Sequence, residues 1–161
     1  MTWGSPPRRR RGDNARMDPA DRWRAEHAAL DAQLLAVLDA LIALRPARAA
    51  AAFARLAAQL DAHFAAEEGE LLPRLAAHPA PRWAPALYLA EHAKLRQLCA
   101  RYTQTLAGAA ARTPATAALR RRQALDLIDA LHPLRHVLEH HQQREEQGLL
   151  AELEAAGVSP P

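Results

Sequence analysis

Four stretches of this 161-residue chain space their apolar side chains at i, i+3, i+4 and i+7, the pattern of one buried helix face. The first stripe is Trp23, His27, Leu30, Leu34, Leu38 and Leu41, and the second is Phe53, Leu56, Leu60, His63, Glu67 and Leu71. The third is Leu89, His92, Leu95, Cys99, Tyr102 and Leu106, and the fourth is Leu134, Leu138, His141, Glu145 and Leu149. Asp18-Pro19 offers a cap and a first-turn proline for the first helix, which stops at Arg45 before Pro46. The second helix runs from Pro46 to Ala77, ahead of His78-Pro79-Ala80-Pro81, and Pro73 is expected to kink it or end it early. The third spans Trp83 to Leu106 and ends at Gly108. Thr113-Pro114 opens the fourth, which reaches Glu154, stops before Gly157 and is expected to kink or break at Pro133. Short connections make neighbouring helices antiparallel. The predicted fold is all-α, an up-down-up-down four-helix bundle over residues 18–157.

One level of every stripe is polar, and the polar level is written twice. His63-Phe-Ala-Ala-Glu67-Glu68-Gly-Glu-Leu71-Leu72 and His141-Gln-Gln-Arg-Glu145-Glu146-Gln-Gly-Leu149-Leu150 share the form H-x3-E-E-x2-L-L. Each follows a second shared phrase, Ala25-Glu26-His27-Ala28-Ala29-Leu30 or Ala90-Glu91-His92-Ala93-Lys94-Leu95, as if one helical hairpin had been repeated. His27 lies 19 residues before Pro46 and His63 lies 17 after it, so a helical rise of about 1.5 Å per residue returns them to one height. His92 lies 16 residues before Gly108 while His141 lies 27 after Pro114. The second hairpin therefore aligns only if its last helix begins late or overhangs the bundle, which a break at Pro133 would permit.

Composition supports helix and removes several function classes. Alanine, leucine, arginine and glutamate dominate, and β-branched residues are few. No run approaches the ~20 apolar residues of a membrane span. No apolar segment follows the N-terminal arginines, so neither a secretory nor a twin-arginine signal is expected. The single cysteine, Cys99, cannot form an internal disulfide, and a cytoplasmic setting is expected. The net charge of +3 comes from residues 1–17, where five arginines against Asp13 give +4 and leave −1 for everything after. That Pro-, Gly- and Arg-rich segment is expected to be a disordered tail rather than a nucleic-acid arm.

The polar level has the chemistry of a metal site. Two carboxylates buried without partners would cost several kcal/mol each, and no cation shares the stripes. Four imidazoles and two carboxylates with no thiolate suit iron or manganese and permit zinc. Six protein donors are too many for one tetrahedral ion. They divide into two ions, with His27 and His63 on one, His92 and His141 on the other, and Glu67 and Glu145 bridging. A solvent-derived oxo or hydroxo bridge would leave one octahedral position of each ion open to O2, NO or peroxide.

These residues, in the order H, H-x3-E, H, H-x3-E along a four-helix bundle, resemble the hemerythrin-like, or HHE cation-binding, domain family. The phrases His63-Phe-x-x-Glu67-Glu68-x-x-Leu71-Leu72-Pro73 and Glu91-His92-x-x-Leu95 carry the resemblance, which spans residues 20–155. It implies an oxo-bridged diiron centre held by His27, His63, Glu67, His92, His141 and Glu145. Oxygen-carrying members have a fifth histidine one turn after the third-helix ligand, where this chain has Arg96. The four-histidine branch is the better match, and it is similar to nitric-oxide-responsive and iron–sulfur-repair proteins. Those repair proteins carry an N-terminal cysteine-bearing segment, and residues 1–17 here contain no cysteine.

The expected function is a diiron protein that binds or senses O2 or NO, or handles iron, with an unidentified redox partner. The alternative is a diiron redox enzyme, a peroxidase or a reductase of NO or O2, at the same site. A ferritin-like carboxylate enzyme needs two E-x-x-H motifs, and none of the stripe histidines has glutamate three residues before it. On the fourth helix His140 could replace His141, but it shares a row with His136 and Arg144 and lies about 140° from Glu145, against about 40° for His141. Glu26, Glu68, Glu91 and Glu146 are either acceptors for ligand N–H groups or plain surface. Cys99 and Tyr102 read as core, and His78 as surface.

Overall fold

The computed structural model describes residues 19–155, which form helices and turns with no strand among them. α1 is Pro19–Ile42, α2 is Pro46–Ala66, α3 is Pro85–Ala110 and α4 is Ala117–Arg144. α2 and α4 each continue through a π-helical turn, Glu67–Leu71 and Glu145–Leu150, into one last α-helical turn, Leu72–Ala76 and Ala151–Ala155. α1 packs on α2, α2 on α3, α3 on α4 and α4 back on α1, closing the expected four-helix bundle. The expected tail at 1–17, the Asp18 cap and the stop at Gly157 lie outside the described residues. No helix among the described residues is long and apolar enough to cross a membrane.

Pro46 starts α2 as expected, whereas α3 starts at Pro85 rather than Trp83 and runs through Gly108 to Ala110. α4 departs from expectation: its cap is Thr116, whose hydroxyl accepts the Leu119 N–H at 3.2 Å, and not Thr113. Arg120 donates to the Pro114 carbonyl at 3.1 Å and fixes the preceding loop. Nor does Pro133 break α4, which runs through it without interruption. The proline removes the N–H that Asp129 would have received, and both residues lie on the exposed face of the helix.

The late start and an overhang are what align the second hairpin. Gln123 donates to the Ala109 carbonyl at 3.3 Å and sets the register of α3 against α4. From that pair His92 is 17 residues away along α3 and His141 is 18 along α4. The two histidines therefore meet at one height, and the residues of α4 before Gln123 extend past the end of α3.

The core is divided by the polar level. A large cluster built on Leu30, Phe53, Leu56, Leu60, Leu95, Tyr102, Leu131 and Leu138 fills one side. A smaller one, Trp23, Leu71, Leu72, Leu75, Tyr88, Leu149, Leu150 and Leu153, closes the other. Every helix passes from one cluster to the other through its own polar residues. On α3 the small-cluster member is Tyr88, 1% exposed, while Leu89, expected on the stripe, is 47% exposed. Tyr88 is one full turn before His92, and four residues follow the buried stripe more closely here than three.

Each π-helical turn begins at the glutamate of a repeated phrase. The Leu72 N–H bonds the Glu67 carbonyl, five residues back, so one extra residue is accommodated and the helix face shifts. Both leucines of each L-L pair are buried after the shift: Leu71, Leu72, Leu149 and Leu150 are at most 4% exposed. In a regular helix adjacent residues diverge by about 100°. Gly148 lies in the second π turn, and a Cβ there would clash with two carbons of the Trp83 ring and lie 3.0 Å from the Tyr88 hydroxyl. The Arg82 and Arg144 guanidinium groups both lie over Trp83, 4.4 and 5.3 Å from its ring centre. Gly148→Ala should therefore lower unfolding free energy by about 1–3 kcal/mol in a urea titration, the usual range for overpacking. A midpoint equal to the parent's would show that Trp83 does not pack on this turn.

Candidate metal centre

Six polar side chains converge where the two clusters meet. His27, His63, Glu67, His92, His141 and Glu145 are each at most 4% exposed, and His92 and His141 are wholly buried. His140, the alternative on α4, is exposed, in a row with His132 and His136 whose rings stack along the outside of the helix.

The imidazole Nε2 atoms point inward at the two carboxylates. Glu67 spans His63 and His92, with Oε1 at 2.8 Å from one Nε2 and Oε2 at 3.0 Å from the other. Glu145 spans His141 and His27 in the same way, at 3.1 and 3.0 Å. Each glutamate thus reaches one histidine of its own helix and one of the other hairpin. The donor atoms form two overlapping groups, His27–His63–Glu67–Glu145 and Glu67–His92–His141–Glu145, and within each group all lie within 4.8 Å of one another. Both carboxylates belong to both groups.

The Nδ1 atoms point outward, each to a further carboxylate. His27 meets Glu146 at 3.1 Å, His63 meets Glu26 at 3.1 Å, His92 meets Glu68 at 2.8 Å and His141 meets Glu91 at 3.0 Å. An ionised carboxylate only accepts, so the histidine proton sits on Nδ1 and a neutral ring turns its Nε2 lone pair inward. The four glutamates that the sequence left open between acceptor and surface are all acceptors. Their positions follow the repeat: the glutamate before each first histidine serves its own hairpin, and the second of each Glu-Glu pair serves the other.

Arginines hold three of these four acceptors. Arg96 donates to Glu68 at 2.7 Å and to Asp61 at 2.8 Å, with its guanidinium 5.4 Å from the Phe64 ring centre. Arg144 meets Glu91 at 2.9 Å, and Arg22 meets Glu26 at 3.6 Å. Burial raises the Glu68 carboxyl, but Arg96 and then His92 bring it below its ordinary value. Arg96 occupies the place of a fifth histidine without entering the site. Glu146, 47% exposed, has no such cation among the described ion pairs, so the His27 corner is the least tied. Aromatic rings wall the centre. Phe64 stacks on His92 with ring centres 4.4 Å apart, and Trp23 lies 5.1 Å from His63. Tyr88, which falls outside the apolar stripes of the sequence, lies 6.5 Å from His141.

Without a metal the buried carboxyl groups rely on protons shared with the imidazoles. Burial and the Glu145 charge raise the Glu67 carboxyl. Glu145, also buried, is held low by Glu67 and by His141 and His27. Burial lowers His63, but Glu145 and Glu67 outweigh it and push the ring up to about 10. The same balance lifts His141 to about 9 and raises His27. Even so, Nε2 of His27, His63 and His141 and both Glu145 oxygens are buried without a hydrogen bond of acceptable geometry. Five inward-facing N and O atoms that no protein group satisfies fit a cation, which accepts every one of these lone pairs. Nitrogen and carboxylate donors without thiolate match a borderline divalent or trivalent metal. Cys99 lies outside this set: its thiol is buried and pushed up to about 11 by that burial and by Asp61. Tyr102 donates to the Leu127 carbonyl at 3.0 Å within the large cluster.

Among known families, the model of the hemerythrin HHE cation binding domain matches residues 18–153. No curated protein and no solved structure matches the chain. The match covers every helix together with the buried His/Glu groups, which suit metal binding, and the chain belongs to the hemerythrin HHE cation-binding domain family.

Proposed function

We propose that the chain holds two iron ions, one between His27 and His63 and the other between His92 and His141, with Glu67 and Glu145 bridging both, and that it binds or senses O2 or NO or handles iron there. The observation that carries this reading is the pair of overlapping donor groups that share both carboxylates. A single ion would leave two imidazoles without a role. Two nitrogens and two carboxylate oxygens per ion fall short of octahedral coordination, and a pair of irons so held supplies open positions and redox equivalents for a diatomic ligand.

The chain's own residues do the rest. Glu26, Glu68, Glu91 and Glu146 fix the ring tautomers and orient the Nε2 lone pairs. Trp23, Phe64 and Tyr88 exclude bulk water and strengthen every electrostatic contact inside. A reducing, cytoplasmic setting agrees with the lone buried thiol of Cys99.

Protein purified from iron-replete cells should contain about two irons per chain by elemental analysis, a dinuclear stoichiometry. His63→Ala should lose at least one of them, while His140→Ala, on the exposed row, should lose none. Full iron in His63→Ala, or loss in His140→Ala alone, would contradict the ligand set. NO or azide added to the loaded protein should change its near-ultraviolet and visible absorption. Steady turnover of peroxide or NO would move the reading to a redox enzyme at the same site.

Protons and metal compete for the same nitrogens. In the metal-free chain His63 titrates at about 10 and His141 at about 9, both above the ordinary histidine value of 6.5. Both therefore carry a proton at neutral pH, and metal must displace it. Loading in weak buffer at pH 7 should release protons, and affinity should tighten as pH rises toward 9. The raised values also stabilise the metal-free fold. That contribution is complete below pH 6.5 and is lost as pH climbs through about 9 and about 10. The metal-free melting temperature should fall across that window, and the loaded protein should not show the fall. Loading without proton release would remove these imidazoles from the ligand set.

A further inference from the structure

At the end of the bundle away from the polar level, the α1–α2 and α3–α4 turns enclose a cavity of about 460 Å³. It is some 14 residues along α4 from His141 at Leu127, or about 21 Å, so it is a separate place from the metal centre. Its floor is apolar, with Leu41, Ala124 and Leu127 among the buried residues that line it. Its rim carries Arg45, Arg48, Arg112 and Arg120, and no carboxylate lines it.

The four arginines are not engaged as those around the centre are. Arg112 donates to the Gly108 carbonyl at 2.9 Å and Arg120 to the Pro114 carbonyl at 3.1 Å. Each bond uses one of the five N–H donors of a guanidinium and steadies the rest of the fork. Arg45 and Arg48 have no side-chain hydrogen bond or ion pair among the described residues. Four like charges around one opening repel each other, and their common complement is an anion.

The lip of the cavity is strained as well. α1 ends with the Arg45 N–H on the Ala40 carbonyl and the Leu44 N–H on the Leu41 carbonyl, at 2.9 and 2.8 Å. In this arrangement the residue at Leu44 must be left-handed, and glycine is the usual occupant. Leucine stands there instead at φ 57° and lines the cavity. A local cost is accepted that puts an aliphatic side chain beside the arginines.

We infer that this cavity binds a small organic anion, with a carboxylate, sulfonate or phosphate-ester head between the guanidinium groups and an apolar body on the Leu41–Leu127 floor. The volume falls within the roughly 300–1,000 Å³ of small-molecule sites. The apolar floor argues against bare inorganic phosphate.

The test is a fluorescence titration of the full-length, metal-loaded chain with 8-anilinonaphthalene-1-sulfonate, an aryl sulfonate of suitable size. One saturable site is expected, with the dye displaced by decanoate but not by inorganic phosphate at the same concentration. The double variant Arg45→Glu/Arg48→Glu should weaken binding about tenfold or more. Ala110→Leu, which fills the cavity without changing charge, should weaken it too. Arg135→Glu, on exposed α4 away from the cavity, should not. Circular dichroism melts and metal content identify any variant that has lost its fold. The inference is overturned by dye binding that is unsaturable, unaffected by both cavity variants, or weakened as much by Arg135→Glu. Displacement by phosphate alone would overturn the apolar part of the ligand.

Discussion

Everything about this bundle turns on two ionisable carboxyl groups, Glu67 and Glu145, buried at 1% exposure in the middle of a leucine-rich core. Taken out of water without compensation, each would destabilise the fold by several kcal/mol. Four imidazoles at 2.8–3.1 Å supply part of what is missing, and four outer carboxylates then orient the imidazoles. Ten side chains form one network in this way. Such a network needs positive charge at its middle, which protonated imidazoles supply in the metal-free chain and a metal would supply on binding, and the chain belongs to a metal-binding family.

The repeat explains how a short chain assembles so many groups. Neither hairpin completes a donor set by itself: Glu67 needs His92 across the bundle, and Glu145 needs His27. The outer acceptors cross over as well, Glu68 to His92 and Glu146 to His27. Docking the hairpins and forming the site are therefore one event. The symmetry is nonetheless incomplete. Arg96 and Arg144 clamp the acceptors of His92 and His141, while Arg22 lies farther from Glu26 and Glu146 stands in solvent. The two halves of the site thus differ in how firmly their imidazoles are held.

Much of this was legible in the sequence because periodicity and spacing are geometric facts. A helix stacks i and i+4, so His63 with Glu67 and His141 with Glu145 had to share a face, and the same argument turns His140 outward. What the sequence concealed was tertiary or locally irregular. Leu89 was expected on the buried stripe, but Tyr88 takes that place in the small cluster and Leu89 is exposed. Thr113 was expected to cap α4, and the helix starts three residues later on Thr116 instead. Pro133 looked like a breaker, but it lies on the exposed face of α4 and the helix runs on through it. The π turns left no decisive signal, because regular helices of this bundle also bury adjacent residues, as at Ala52-Phe53 and Leu98-Cys99. Which hairpin each outer glutamate would serve depends on the crossing of the helices, and no spacing along the chain encodes it.

The most direct measurement is iron-edge X-ray absorption on the loaded protein, because it reads the distance from one metal to its neighbours. The account predicts nitrogen and oxygen scatterers, a contribution from imidazole rings, and a metal–metal shell that disappears in Glu145→Ala. An iron with imidazole and carboxylate neighbours but no second metal would contradict the bridged pair, and with it the bridging role of Glu67 and Glu145.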